Sequence, residues 1–180
     1  MSFTLEIAKK NEYKLIKRLF ISAFPKEERP PFYVISVRAR RGKGDLLIAK
    51  EGQDFVGFVH VVSHAGLSYL FFLAVEDSWR GKGYGTKIID GVKARYPGDK
   101  IFLARESLDE PCNNMEQRIN RHKFYIKNGF CDLKCKIVEG GVTFDAMSIG
   151  GDITNKDYTD LIDSWCGKFT RKRIGMYVRE

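Results

Sequence analysis

Apolar and polar residues recur along this chain with two different periods, and the changes of period divide it into elements. Phe3 to Ala8 alternates and reads as an edge strand. From Glu12 to Phe24, the residues Leu15, Ile16, Leu19, Phe20 and Ala23 recur at helical spacing. Pro25, Pro30 and Pro31 end that helix, because proline lacks an N–H and biases its predecessor away from helical geometry. A second short helix is expected from Phe32 to Arg40. Leu46 to Lys50, Phe55 to Ser63 and Leu67 to Val75 read as three strands, joined at Gly52-Gln53-Asp54 and His64-Ala65-Gly66 as an antiparallel meander. Gly83 to Tyr96 is then helical, with Tyr84, Ile88, Ile89 and Val92 inward. Pro97-Gly98 leads to a short buried strand, Lys100 to Ala104, and a strand–helix–strand unit of this kind joins parallel neighbours. Glu116 to Asn128 forms the next helix, and Asp132 to Glu139 with Val142 to Ile149 a hairpin turning at Gly140-Gly141.

The order predicts a mixed α/β (α+β) fold over residues 1–150. Residues 151–180 differ: Thr154 with Asp157 looks like a capping box that opens a helix through Trp165, followed by the basic run Arg171-Lys172-Arg173. This tail is expected to pack on the core or on another subunit, so a homodimer is one of the partner classes considered.

Composition narrows the function classes. With 180 residues, 43% of them hydrophobic, the chain can bury a full core. It has neither a membrane-length apolar run nor a signal-peptide pattern at its start, so the expected location is the cytoplasm. Cys112, Cys131, Cys135 and Cys166 lack metal-type spacing with one another or with His60, His64 and His122, and they read as reduced packing thiols with no metal. The formal charge of +8 first suggests nucleic acid, but the basic residues are dispersed apart from Arg38 to Lys43 and Arg171 to Arg173, and no nucleic-acid module is present. A polyanionic cofactor accounts for part of the excess.

Arg80-Gly81-Lys82-Gly83-Tyr84-Gly85 follows the apolar strand ending at Val75 and opens a helix, an order that presents free backbone N–H groups to an anion. The turn ends Gly85-Thr86-Lys87, which is not a triphosphate-binding loop, and Thr86 stands where a dinucleotide fingerprint has its third glycine. About forty positions on comes Phe124-Tyr125-Ile126-Lys127-Asn128-Gly129-Phe130.

Together these two motifs resemble the signatures of the GNAT superfamily of N-acyltransferases, whose acyl-CoA loop reads Gln/Arg-x-x-Gly-x-Gly/Ala and whose following helix ends Tyr-x-x-x-Gly-Phe. The resemblance covers about residues 1–150. It implies a mixed, mostly antiparallel sheet flanked by helices and splayed centrally at the acyl-CoA site. The implied reaction moves an acetyl group from acetyl-CoA to a primary amine by direct attack in a ternary complex. It also implies that the pantetheine arm pairs with backbone near Leu73 and Val75, that the pyrophosphate sits on Arg80, Gly81, Lys82, Gly83, Tyr84, Gly85 and Thr86, and that Tyr125 is the general acid. Asn114 is a further cofactor-binding candidate, with a helix N-cap as its ordinary alternative.

The base is open. Where many members of the family carry a glutamate on the strand before the loop, this chain has Tyr69. Glu106, just beyond the strand ending at Ala104, and Glu28, in the proline-bound loop, are the candidates to orient the ammonium or take its proton. The acceptor is a small-molecule or peptide amine. Two other readings stand beside this one: a module that binds acyl-CoA without catalysis, and a dinucleotide-binding protein in which Glu106 follows the strand roughly where a ribose-binding acid would fall.

Overall fold

The fold is described from a computed structural model, over residues 2–26, 29–109 and 112–179. Glu28 lies outside the described residues. Eight strands form a mixed, mostly antiparallel sheet flanked by helices, in the order β1-β2-β3-β4-β5-β7-β6-β8. The chain divides into two compact units, residues 1–62 with Leu70–Pro97, and Ser63–Tyr69 with residues 98–180.

The first unit holds β1 (Phe3–Ile7), α1 (Tyr13–Ala23), α2 (Phe32–Arg40), β2 (Asp45–Glu51), most of β3 (Asp54–His64), the C-terminal part of β4 (Leu67–Val75) and α3 (Tyr84–Arg95). β1 and β3 each pair antiparallel with β2. The helical spacing in α1 delivers Ile16, Leu19 and Phe20 to a core shared with Phe32, Ile35, Leu46, Ile48, Phe58, Phe72 and Ala74. Phe20 is fully buried, and the Phe72 ring stands edge-on to it, with 4.9 Å between centroids. Gly57 is required by close approach, since a Cβ there would lie 2.3 Å from the Ala74 carbonyl oxygen.

The second unit holds the start of β4, β5 (Lys100–Glu106), α4 (Met115–Lys127), β6 (Cys131–Glu139), β7 (Val142–Ile149), α5 (Asn155–Cys166), α6 (Lys168–Ile174) and β8 (Tyr177–Arg179). β4 and β5 are parallel, as the crossover reading predicts, but their ladder runs only from Leu67↔Lys100 to Tyr69↔Phe102. Both strands continue past that last rung, β4 to Val75 and β5 to Glu106. β7 lies between β5 and β6, pairing antiparallel with each.

Two elements of the second unit depart from the sequence reading. β5 extends two residues past Ala104, so Glu106 is the last strand residue, paired with Phe144, and does not lie beyond the strand. After α5 the chain forms α6 and then β8, which pairs antiparallel with β6. The capping box at Thr154 is present: the Asp157 N–H donates to Thr154 Oγ1 at 3.1 Å, and the Thr154 N–H donates to Asp157 Oδ2 at 3.1 Å. Tyr158, Leu161, Ile162 and Trp165 on α5 are buried.

Candidate active site

In the first unit, the segment between β4 and α3 forms an open turn. Gly81 and Gly83 have φ of +74° and +83°, a region glycine enters without steric cost, and a Cβ on either would meet nothing within 4 Å. α3 starts from Gly83, which no side chain caps, so the N–H groups of Tyr84, Gly85 and Thr86 have no acceptor within the helix. These groups and the positive end of the helix dipole converge on the same space, which favours an anion. The arrangement fits the pyrophosphate of acyl-CoA.

The side chains of the turn are more committed than the motif suggests. Arg80 Nε donates to the Val75 carbonyl at 3.2 Å, and its guanidinium pairs with Asp77 at 2.9 Å. The Val75 carbonyl therefore already has a donor. Leu73 and Val75 are half-buried and share one face of β4 with Phe71. The buried Tyr84 ring packs edge-on against Trp79, with 5.0 Å between centroids, and the Lys87 ammonium stands 4.5 Å from the Tyr84 centroid. Lys82 is exposed, its ammonium 5.3 Å from the Trp79 centroid.

In the second unit, α4 carries Tyr125. Gly129, at φ +89°, ends the helix region and turns the chain so that the Phe130 N–H donates to the Tyr125 carbonyl at 3.1 Å. The Phe130 ring is buried 5.6 Å from that of Tyr125. The Tyr-x-x-x-Gly-Phe spacing is thus a helix terminator that clamps the tyrosine. Burial pushes the Tyr125 phenol above its ordinary range; the positive charge of Arg121 opposes this and the negative charge of Glu106 adds to it. The phenol is protonated at neutral pH, the state a proton donor requires.

Glu106 and Asn114 come together, though not as the sequence suggests. Asn114 begins α4 without a side-chain cap; its amide instead donates to Glu106 Oε1 at 3.2 Å. Glu106 Oε1 lies 3.5 Å from Arg118 Nε, and Oε2 accepts from Arg121. With 8% of its side chain exposed and both oxygens engaged by α4, Glu106 ties the end of β5 to the helix that carries Tyr125. Arg105, beside it, is buried and pairs with Asp132 at 3.1 Å and Asp145 at 3.0 Å, and Asp132 also accepts from His122 at 2.8 Å.

A further carboxylate, half-buried at the end of β6, has no motif around it in the sequence. Glu139, at the end of β6, accepts at Oε1 from the Tyr69 hydroxyl at 2.8 Å and from the Tyr158 hydroxyl at 2.7 Å. Tyr69 stacks on Phe102 with 4.3 Å between centroids and a 12° tilt, at the last rung between β4 and β5. The trace in the sequence is Tyr69 itself, a polar aromatic that follows Ser68 in a mostly apolar strand.

The sequence model described as an acetyltransferase (GNAT) domain matches residues 42–132, just over half of the chain, and spans both the loop and the Tyr125 motif. The chain belongs to the GNAT acetyltransferase family. Membership displaces the dinucleotide-binding alternative. No curated protein matches the sequence. Among solved structures, this GNAT chain is similar in fold to a protein of Bacteroides thetaiotaomicron assigned to the GNAT family, at 21% identity and a TM-score of 0.71, over 96% of this chain and 98% of that one. It is also similar to Arabidopsis thaliana Naa50 in complex with the bisubstrate analogue CoA-Ac-MVNAL, at 18% identity and a TM-score of 0.62, over 84% and 100% of the two chains. A third likeness is to an aminoglycoside 6′-N-acetyltransferase complexed with coenzyme A, at 17% identity and a TM-score of 0.62, over 81% and 96%. No helix among the described residues is long and apolar enough to cross a membrane.

Proposed function

We propose that this GNAT protein acetylates a primary amine, taking the acetyl group from acetyl-CoA by direct attack in a ternary complex. The observation that carries the reading is the turn at Gly81 and Gly83, open at both Cβ positions and placed at an uncapped helix start. Backbone N–H groups from Arg80 to Thr86 hold the pyrophosphate, and Leu73 and Val75 offer backbone to the pantetheine arm. Tyr125 donates a proton to the departing thiolate. A phenol whose reference pKa of ~10 is only moderately above the ~8.5 of a thiol can do so once the two are in contact.

Glu106 we assign to positioning, because Asn114, Arg118 and Arg121 already occupy its oxygens. Asn114 then acts on the cofactor side only through the helix it starts. Glu28 remains a candidate for recognising the acceptor ammonium. The acceptor class includes peptides and small-molecule amines, since the solved relatives include one holding a CoA–peptide analogue and one named for an aminoglycoside. The expected setting is the cytoplasm, and no metal is required by the chemistry.

The test is acetyl-CoA incubated with a panel that includes a peptide with a free N-terminus, an aminoglycoside and a polyamine, with release of free thiol as the readout. One observation favours a second reading, a module that binds acyl-CoA without transfer: Tyr69 stands where a carboxylate base is common in the family. Tight acyl-CoA binding with no thiol release across the panel would support that second reading.

A further inference from the structure

The second unit contains one carboxylate built into a site that the reaction as described does not use. Glu139 leaves β6 just before the Gly140-Gly141 turn, where a glutamate ordinarily stands in water. Here two phenols from different elements, Tyr69 of β4 and Tyr158 of α5, both donate to its Oε1. Phe102 of β5 stacks on Tyr69 and stands edge-on to Tyr158, with 6.1 Å between centroids. Tyr69 is 2% exposed and Tyr158 is sealed from solvent. One hydroxyl from a strand and one from a helix therefore hold the same carboxylate oxygen.

The other oxygen differs. Glu139 Oε2 has no hydrogen-bond partner among the described residues, and the residue as a whole is half-buried. A carboxylate with one oxygen fixed by two donors and the other without a donor keeps an oxygen able to receive a proton. Its position adds to this: Tyr69 stands on the last rung of the β4–β5 ladder, where the two strands cease to pair.

We propose that Glu139 is the proton acceptor for the amine in the acyl transfer, with Tyr69 and Tyr158 as the positioning residues that hold its carboxylate. The proposal rests on the acetyltransferase reading above. The incoming ammonium gives one proton to Glu139 Oε2 and becomes a neutral amine. Its nitrogen forms a bond to the thioester carbonyl carbon, the carbon–sulfur bond breaks, and the sulfur takes the Tyr125 proton. The second proton on the attacking nitrogen restores the phenol, and Glu139 releases its own proton to solvent. The chain is left unchanged, and one proton is released for each amide formed.

Burial raises the Glu139 carboxyl above the ordinary carboxylate range, with the two phenolic hydrogen bonds opposing it in part, so its basicity is higher than that of a solvated glutamate. The titratable groups facing it are Tyr69 and Tyr158, with Cys166 acting on Tyr158 from the same helix. Both phenols are raised well above their usual range, by burial first and then by the Glu139 charge, so they remain donors at working pH.

The experiment measures kcat/KM from about pH 5.5 to 9 for the full chain, using whichever member of the amine panel releases thiol, with acetyl-CoA affinity measured separately by calorimetry. Glu139→Gln keeps the shape and both phenolic partners. It should lower kcat/KM by ~10²-fold or more and flatten the acidic limb, with acetyl-CoA affinity unchanged. Tyr69→Phe and Tyr158→Phe each remove a hydrogen bond to the ionised form. Each should raise the carboxyl pKa and shift the acidic limb to higher pH. A mere strut between α5 and the sheet predicts instead a lower melting temperature and an unmoved limb in all three variants. Wild-type kcat/KM in folded Glu139→Gln, or an unmoved limb in both tyrosine variants, overturns the assignment of Glu139 while leaving the acetyltransferase reading standing. Absence of thiol release by the wild-type protein with every amine overturns both.

Discussion

The side-chain amide of Asn114 donates to Glu106 Oε1 at 3.2 Å, so the residue that begins α4 is tied to the residue that ends β5. Arg118 and Arg121, one and two turns along the same helix, hold the same carboxylate. Tyr125 follows Arg121 by four residues and so lies on the same helix face. Glu106 thereby ties the end of β5 to the face of α4 that carries the phenol.

Glu106→Gln tests that role. The substitution leaves two guanidinium groups without their counter-charge, and breaking a buried pair this way costs about 3–5 kcal/mol. Arg121 is 41% exposed, which places the expected loss near or below about 3 kcal/mol in urea denaturation. With Glu106 as the positioning residue proposed above, the acidic limb of the rate profile should not move. A shifted limb with unchanged stability would return Glu106 to the chemistry.

Gly83→Ala tests the turn. At φ +83° an alanine costs roughly 1–2 kcal/mol of backbone strain, so some loss of melting temperature is expected. The added methyl also projects into the open space above the turn. Acetyl-CoA affinity should fall at least ~10-fold, beyond what a protein that is still folded would lose through strain alone. Unchanged affinity in the folded variant would remove the pyrophosphate from this turn.

Tyr125→Phe retains the ring and its contact with Phe130 while removing the proton donor. The turnover number should fall ~10²-fold with acetyl-CoA affinity nearly retained, and any basic limb belonging to the phenol should vanish. Turnover equal to wild type, with chemistry shown to limit the rate, would exclude Tyr125 as the acid.

His60 gives a pH dependence of folding that is independent of catalysis. It is fully buried on β3, where its Nδ1 lies 3.1 Å from the Asp45 carbonyl oxygen, and burial lowers its pKa from 6.5 to about 4. The unfolded chain binds the proton more readily, so this contribution to stability is complete above about pH 6.5 and is lost as the pH falls towards 4. Its full size is about 3 kcal/mol. The urea midpoint should decline over that interval in the wild-type protein and decline less in His60→Asn; equal slopes in the two would contradict the assignment.

The parts of this account legible in the sequence are those set by local chemistry. Gly81 and Gly83 mark the turn because only glycine adopts their backbone angles at no cost, and Gly129 with Phe130 marks the end of α4 for the same reason. The parallel pairing of β4 with β5 follows from the helix between them. What the sequence hides is long-range. Arg105 and Glu106 are charged, so an apolar-run criterion ends β5 at Ala104, whereas partners on α4, β6 and β7 let both residues enter the fold buried. β8 is three residues long and exists because β6 offers it an edge. Glu139 before two glycines reads as a solvated hairpin end; its partners lie 70 and 19 residues away, and no local pattern connects them.

The most direct measurement of the central claim is thiol release from acetyl-CoA by the purified full chain with the amine panel, with mass spectrometry of the amine product. The account predicts one free thiol for each N-acetylated amine formed, abolished or strongly slowed by Gly83→Ala and Tyr125→Phe. Saturable acetyl-CoA binding without thiol release or acetylated product for any amine in the panel would contradict it.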